Sequence, residues 1–228
     1  MIENPKRFYG GVGLMLVFIV VLVVMFMPLF NAGNFLDYMD SLYNSISKGS
    51  ADYVAGLQTK NEAQRGVGVD LALALHDPLQ ATQTAALFEA AGAAVTVEGA
   101  ELRVGGDLGG ILERCLGDAA EMFANDGSGV RTRYGYEEKR AMYNWWTALK
   151  AMDKALKKQE MFSQAAFVTD VKKKAVECSY NYYGIESQKI SASIGLVLFS
   201  LIFYVVYTVW YGFAIIFMFE GWGLKLSH

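Results

Sequence analysis

The dominant pattern along the chain is a long absence of charge near its end. Across residues 190–219 no Asp, Glu, Lys, Arg or His interrupts the apolar side chains, and Glu220 closes the run. As a helix this run reaches about 45 Å, more than the roughly 20 residues that cross a ~30 Å hydrocarbon layer. Such a helix tilts, or sets its ends among the headgroups. Residues 11–30 form a second uninterrupted apolar stretch, preceded by Lys6 and Arg7. Basic residues, an apolar run and then Asn31-Ala32-Gly33 also resemble a cleaved signal peptide. We read the segment as a retained anchor, with Pro28 suited to a helix exit.

Between these runs the periods change several times. Residues 34–60 read as a helical linker, because Phe35, Met39, Leu42 and Ile46 recur at three- and four-residue spacing. Gly49, Gly56, Gly66 and Gly68 then break the pattern. Val69, Leu71, Leu73 and Leu75 alternate as a strand does, up to His76-Asp77-Pro78. A helix follows over 79–91, with Gly92 as its C-terminal cap. Runs 93–97 and 101–104 around Glu98-Gly99-Ala100 predict a β-hairpin. Asp107 is placed to cap a second helix, whose Leu108, Ile111, Leu112, Cys115, Leu116, Ala119, Met122 and Phe123 share one face. Residues 125–135 read as a polar loop. From 136 to 183 the period is helical in two segments, with stripes Ala141, Trp145, Ala148, Leu149, Met152, Leu156 and Val168, Val171, Ala175, Cys178, Tyr182.

The patterning therefore predicts an α+β membrane protein: two transmembrane helices flanking a small strand-helix-strand-strand-helix domain and a long helical stalk. The expected boundaries are 1–10 and 220–228 for the termini, 11–30 and 190–219 for the spans, 31–66 for the linker, 67–135 for the small α/β domain, and 136–189 for the stalk.

Charge narrows the partners. Of the 20 Lys and Arg, only Lys6, Arg7 and Lys225 lie in the ends, and of the 23 Asp and Glu only Glu3 and Glu220 do. The middle thus carries 17 basic and 21 acidic residues, mixed along its length, which argues against nucleic acid as a partner. The expected partners are the bilayer and other integral membrane subunits or copies of the chain itself. Two histidines, His76 and His228, are too few for a His-based metal site and neither lies in an apolar run to hold a haem there, and the two cysteines lack metal or haem spacing. No cofactor is expected. Lys6 and Arg7 ahead of the first run favour a cytoplasmic N-terminus, whereas Lys172, Lys173, Lys174 and Lys189 ahead of the second vote the other way. The first helix usually sets orientation, so both termini are expected inside, with the central domain in the periplasm of a bacterial inner membrane.

Candidate chemistry is sparse. Ser193, Ser200, Tyr204, Tyr207 and Tyr211 fall on one face of the second run, and Thr208 with Gly212 adds a small-xxx-small step. Hydroxyls in lipid seek partners, so this face is the expected transmembrane helix interface; a quinone or lipid pocket is the alternative. Tyr180, Tyr182 and Tyr183 are placed as an interfacial aromatic belt, with Trp222 at the opposite interface. Trp145 fits the core stripe, whereas Trp146 points elsewhere and is the candidate partner anchor. Cys115 and Cys178 are candidates for a disulfide in an exported domain, or else two separate core residues. His76-Asp77 lacks a third group to complete a catalytic set. Gly105 to Gly110 lacks phosphate-loop spacing and reads as a turn and cap. The expectation is a non-catalytic accessory or structural subunit of a larger membrane complex. A membrane-anchored sensor, its domain coupled to the second span, is the runner-up, and an enzyme the third.

Overall fold

In a computed structural model, residues 2–29 and 33–224 are described; Lys225 and His228, and Asn31 and Ala32 of the expected linker, lie outside them. The fold is mixed α and β with one three-stranded sheet and two helices long and apolar enough to cross a membrane. Contacts divide the chain into two units, residues 47–187 and residues 1–46 with 188–228.

The second of these units is a helical hairpin. Helix α1 (Pro5–Phe26) opens on Asn4, whose side chain accepts from Arg7 N at 3.2 Å, with Pro5 in the first turn, where its missing N–H costs nothing. It ends before Pro28, as the restriction on a residue preceding proline dictates. Helix α10 (Ile194–Trp222) closes on Gly223 in the left-handed conformation. The two run antiparallel: Asn4 N donates to Gly221 O at 3.0 Å, and Arg7 pairs with Glu220. Their outward side chains are exposed, Leu16 by 59%, Val20 by 61% and Ile202 by 63%, which distinguishes them from apolar core helices of a soluble protein. Helix α2 (Phe35–Ser50) lays Met39 and Leu42 against Val197, flanked by Phe35, Ile46 and Leu196. The stripe read from sequence therefore covers the first turns of α10.

Residues 47–187 form one core. After α3 (Val54–Asn61), strand β1 (Gly68–Ala74), helix α4 (Pro78–Ala90), β2 (Ala94–Glu98) and β3 (Glu101–Asp107) build a sheet of order β1-β3-β2. Strand β3 runs antiparallel to both neighbours, pairing Leu71 with Val104 and Val95 with Val104, so it splits a β-α-β unit. Val69, Leu71, Leu73, Leu102 and Val104 face the core while their neighbours face out, the period-two signature of a sheet covered on one side. Gly92, at φ +78°, ends α4 by letting Ala93 N reach Phe88 O at 3.0 Å, a turn that a Cβ would strain. Helix α5 (Leu108–Phe123) starts on Asp107, which accepts from Gly110 N at 2.8 Å.

Two expectations change here. The polar loop at 125–135 contains α6 (Ser128–Tyr134), too short to show a period and held by burial of Val130 and Tyr134. The expected stalk does not stand apart. Helices α7 (Glu138–Lys158), α8 (Phe162–Val171) and α9 (Glu177–Tyr182), the last two joined by a π-helical turn at Lys172–Val176, belong to the same core as the sheet. Trp145 is fully buried and meets Phe88 edge-on at 5.6 Å. The stripe that suggested an amphipathic stalk is the face that closes this core.

Candidate functional site

Residues 47–187 carry two buried polar clusters and an aromatic groove. The first is a carboxylate in the middle of the core. Asp118, on α5, is fully buried and accepts from Trp145 Nε1 at 2.8 Å, Arg133 at 2.6 Å, Arg114 Nε at 3.1 Å and the Tyr134 hydroxyl. Arg133 continues to Glu121 at 2.8 Å. Burial pushes the Asp118 carboxyl above its ordinary value, against donors that pull it down, and burial likewise raises the Tyr134 phenol. Both its oxygens accept from donors of the same unit, so the cluster ties α5, α6 and α7 together. Sequence reading missed it, since Asp118 lies beside an apolar stripe with nothing to mark its depth.

The second is a clamp around Lys48. Its ammonium donates to Asn125 Oδ1 and Ile185 O, each at 2.7 Å, and to Tyr182 O at 3.2 Å, with the Phe123 ring 5.2 Å away. Asn125 sits at φ +63°, a conformation asparagine tolerates, and accepts from Gly184 N at 2.8 Å. Burial lowers the pKa of Lys48, and Glu186 opposes that. The clamp joins the segments by which the chain enters and leaves this unit. Lys48→Met keeps the aliphatic stem but removes the donors. It is expected to cost about 1–3 kcal/mol and to speed amide hydrogen exchange across residues 182–187. Unchanged exchange there would refute the clamp.

The third is a groove of about 280 Å³ between α7 and α9, lined by Met142, Tyr143, Trp146, Val176, Glu177 and Tyr180. Trp146 stacks with Tyr143 at 6.1 Å and donates from Nε1 to Glu177 at 2.8 Å. The π-helical turn precedes Glu177, whose N–H reaches Lys172 O. Such wide turns recur at functional sites. Another groove, of about 310 Å³, lies between β1 and α7 and is lined by Ala72, His76, Lys150, Lys154 and Lys158.

The remaining sequence candidates fall as follows. Ser200 and Tyr207 lie within the hairpin unit's packing: Ser200 shares a 2.5 Å hydrogen bond with Tyr43, and Tyr207 contacts Phe18. Tyr204 and Thr208 face outward, as does Tyr211, although its ring also touches Phe18 at 5.3 Å. Ser193 precedes α10 without a capping side-chain bond, its hydroxyl donating to Gln188 Oε1 at 3.5 Å instead. The close approach inside the hairpin is not at Thr208 and Gly212, where a Cβ on Gly212 meets nothing within 4 Å. It is at Gly11, against Ala214 and Met218, and at Gly221, against Phe8. Trp210 Nε1 donates across it to Leu14 O at 3.2 Å. Gly11 and Gly221 were visible as small residues in two bulky apolar runs, which is the signal that marks a close crossing.

Cys115 and Cys178 are free thiols: Cys115 is buried in the α5 core face, and Cys178 reaches Lys173 O at 3.6 Å, so the disulfide considered from sequence is not formed. Tyr182 packs on Phe123 and Tyr183 donates to Glu138 at 3.0 Å. His76 is exposed, and its neighbour Asp77 caps α4 through Gln80 N at 2.8 Å. Across the glycine-rich turn, a Cβ at Gly109 would strike the Arg65 backbone, so that glycine serves close packing. Among the described residues no three His, Cys, Asp or Glu gather as metal ligands. No family model, curated protein or solved structure matches the chain.

Proposed function

We propose that the chain is a non-catalytic accessory subunit of a larger membrane complex, anchored by α1 and α10 and joined to its partners through the outer face of α10. One observation carries this reading. Tyr204 and Tyr211 are exposed by 58% and 45% on that face, with Thr208 between them, and neither phenol has a hydrogen-bond partner among the described residues. Tyr211 lies about 16 Å from the end of its helix at 1.5 Å per residue, too deep in a bilayer to reach water easily. A hydroxyl left unpaired in hydrocarbon costs free energy, and a neighbouring helix with an acceptor removes that cost. The complex belongs in this reading to a bacterial inner membrane, with Lys6 and Arg7 holding both termini in the cytoplasm and residues 47–187 outside it.

The test is native size in gentle detergent with mass spectrometry of whatever co-purifies. A defined set of co-purifying membrane subunits is expected, and a clean homo-oligomer would favour the sensor reading instead. Tyr204→Phe with Tyr211→Phe is expected to weaken that assembly about tenfold, at roughly 0.6 kcal/mol or more per membrane hydrogen bond. A wild-type monomer carrying no partner would sink the proposal. The sensor reading has one observation of its own, the β1–α7 groove with lysines at four-residue spacing, which suits a small anion. A rise in thermal midpoint with inorganic phosphate, abolished in Lys154→Ala, would support it.

A further inference from the structure

We infer that the groove beside Trp146 is a docking site for an acidic segment of a partner polypeptide, one that inserts one or two bulky apolar side chains between α7 and α9. The floor is apolar and aromatic: Met142, Tyr143, Trp146, Val176 and Tyr180. At about 280 Å³ it falls just below the range typical of small-molecule pockets, and it is sized for anchoring side chains instead. Trp and Tyr in a half-desolvated pocket are the residue types that dominate binding energy at protein interfaces.

The rim supplies the charge. Lys150 and Lys172 lie 5.1 and 5.6 Å from the Trp146 ring, Arg140 lies 5.4 Å from Tyr143, and Lys139 lies 5.8 Å from Tyr180. Among the described residues none of these four cations forms an ion pair with a carboxylate, and Arg140 Nε donates to the neutral Gln83 amide oxygen at 3.0 Å. The one carboxylate in the groove, Glu177, is held by the Trp146 indole. Four cations without a carboxylate partner, each against an aromatic ring of the groove, select a negatively charged visitor although the chain as a whole carries net charge −3. They also fix its kind: aspartates or glutamates flanking an aromatic residue or leucine, with the apolar side chain seated on Trp146.

This inference builds on the accessory-subunit reading, but its readout does not involve the α10 face, so either can fail alone. The full chain in nanodiscs of neutral lipid is panned against a random dodecapeptide display library. The enriched peptides are then titrated by fluorescence anisotropy against the wild type, Trp146→Ala, and Lys150→Glu with Lys172→Glu. Enrichment of peptides combining Asp or Glu with Phe, Trp or Leu is expected, with affinity falling as salt rises. Binding is expected to weaken at least about tenfold in each variant. Should Trp146→Ala fail to fold, the charge-reversal pair, on the groove rim, carries the comparison. Three results each overturn the inference: no enrichment, enriched peptides that bind all variants equally, or a groove occupied by lipid. The last would appear as a shift of the tryptophan fluorescence, absent in Trp146→Ala, on changing to anionic-lipid nanodiscs that no selected peptide reverses.

Discussion

Asp118→Ala is expected to cost residues 47–187 about 3–5 kcal/mol, a large share of the 5–15 kcal/mol that holds a domain folded. The substitution leaves the Trp145 indole N–H and the Tyr134 hydroxyl without their acceptor inside the core. Each buried donor so abandoned costs about 1–3 kcal/mol. Arg114 and Arg133, whose side chains are 27% and 26% exposed, recover part of their hydration and add less. Urea unfolding of the full chain in mild detergent measures the loss. A change below about 1 kcal/mol would mean the cluster is dispensable.

The pH dependence has a definite sign. Because burial raises the folded-state pKa of Asp118 above its ordinary 3.8, the folded chain holds that proton more tightly than the unfolded chain does. The stability contributed by this proton is therefore full below about pH 4 and is lost as pH rises through the folded value. The wild type's advantage over Asp118→Asn should accordingly shrink as pH rises above about 4. An advantage that grows as pH rises would show the arginines and the indole outweighing burial.

Gly11→Leu and Gly221→Leu are each expected to force α1 and α10 apart. A Cβ at Gly11 would lie 2.7 Å from Met218 N and 2.8 Å from Ala214 O, backbone atoms that cannot rotate away. A Cβ at Gly221 meets the Phe8 backbone in the same manner. Overpacking costs about 1–3 kcal/mol where side chains give way, and backbone contacts place these variants at the upper end. The Trp210–Leu14 hydrogen bond and the Phe18–Tyr211 ring contact are lost with them. Gly212→Leu is the informative contrast, because its Cβ enters open space. It should leave the hairpin's stability within about 0.5 kcal/mol of wild type while blocking assembly through the Tyr204–Tyr211 face. If Gly212→Leu destabilises the hairpin as much as Gly11→Leu does, the division between inner and outer faces is wrong.

Much of the architecture was legible because it repeats. Two uncharged runs, a period-two stretch at Val69–Leu71–Leu73, a turn around Gly99 and a helical stripe through Leu112 and Leu116 each carry their own evidence over several residues. The capping residues were legible for the same reason: Asp107 and Gly92 do local work that depends on chain neighbours alone. Single residues acting across long separations were not. Lys48 looks like any surface lysine until Ile185 and Asn125 are brought around it, and nothing near Glu177 in sequence announces Trp146. The hydroxyl stripe of α10 shows the limit most clearly. A helix of period 3.6 states which residues share a face, and by that rule Ser200, Tyr204, Tyr207 and Tyr211 belong together. It does not state which part of the face another helix will cover. That depended on Gly11 and Gly221, where the missing Cβ atoms let the backbones meet and so turned Tyr207 inward and left Tyr204 and Thr208 outside. The amino-acid sequence by itself determined the elements and their periods. Which faces met was decided by packing, because the steric fit of two surfaces is a property of neither one alone.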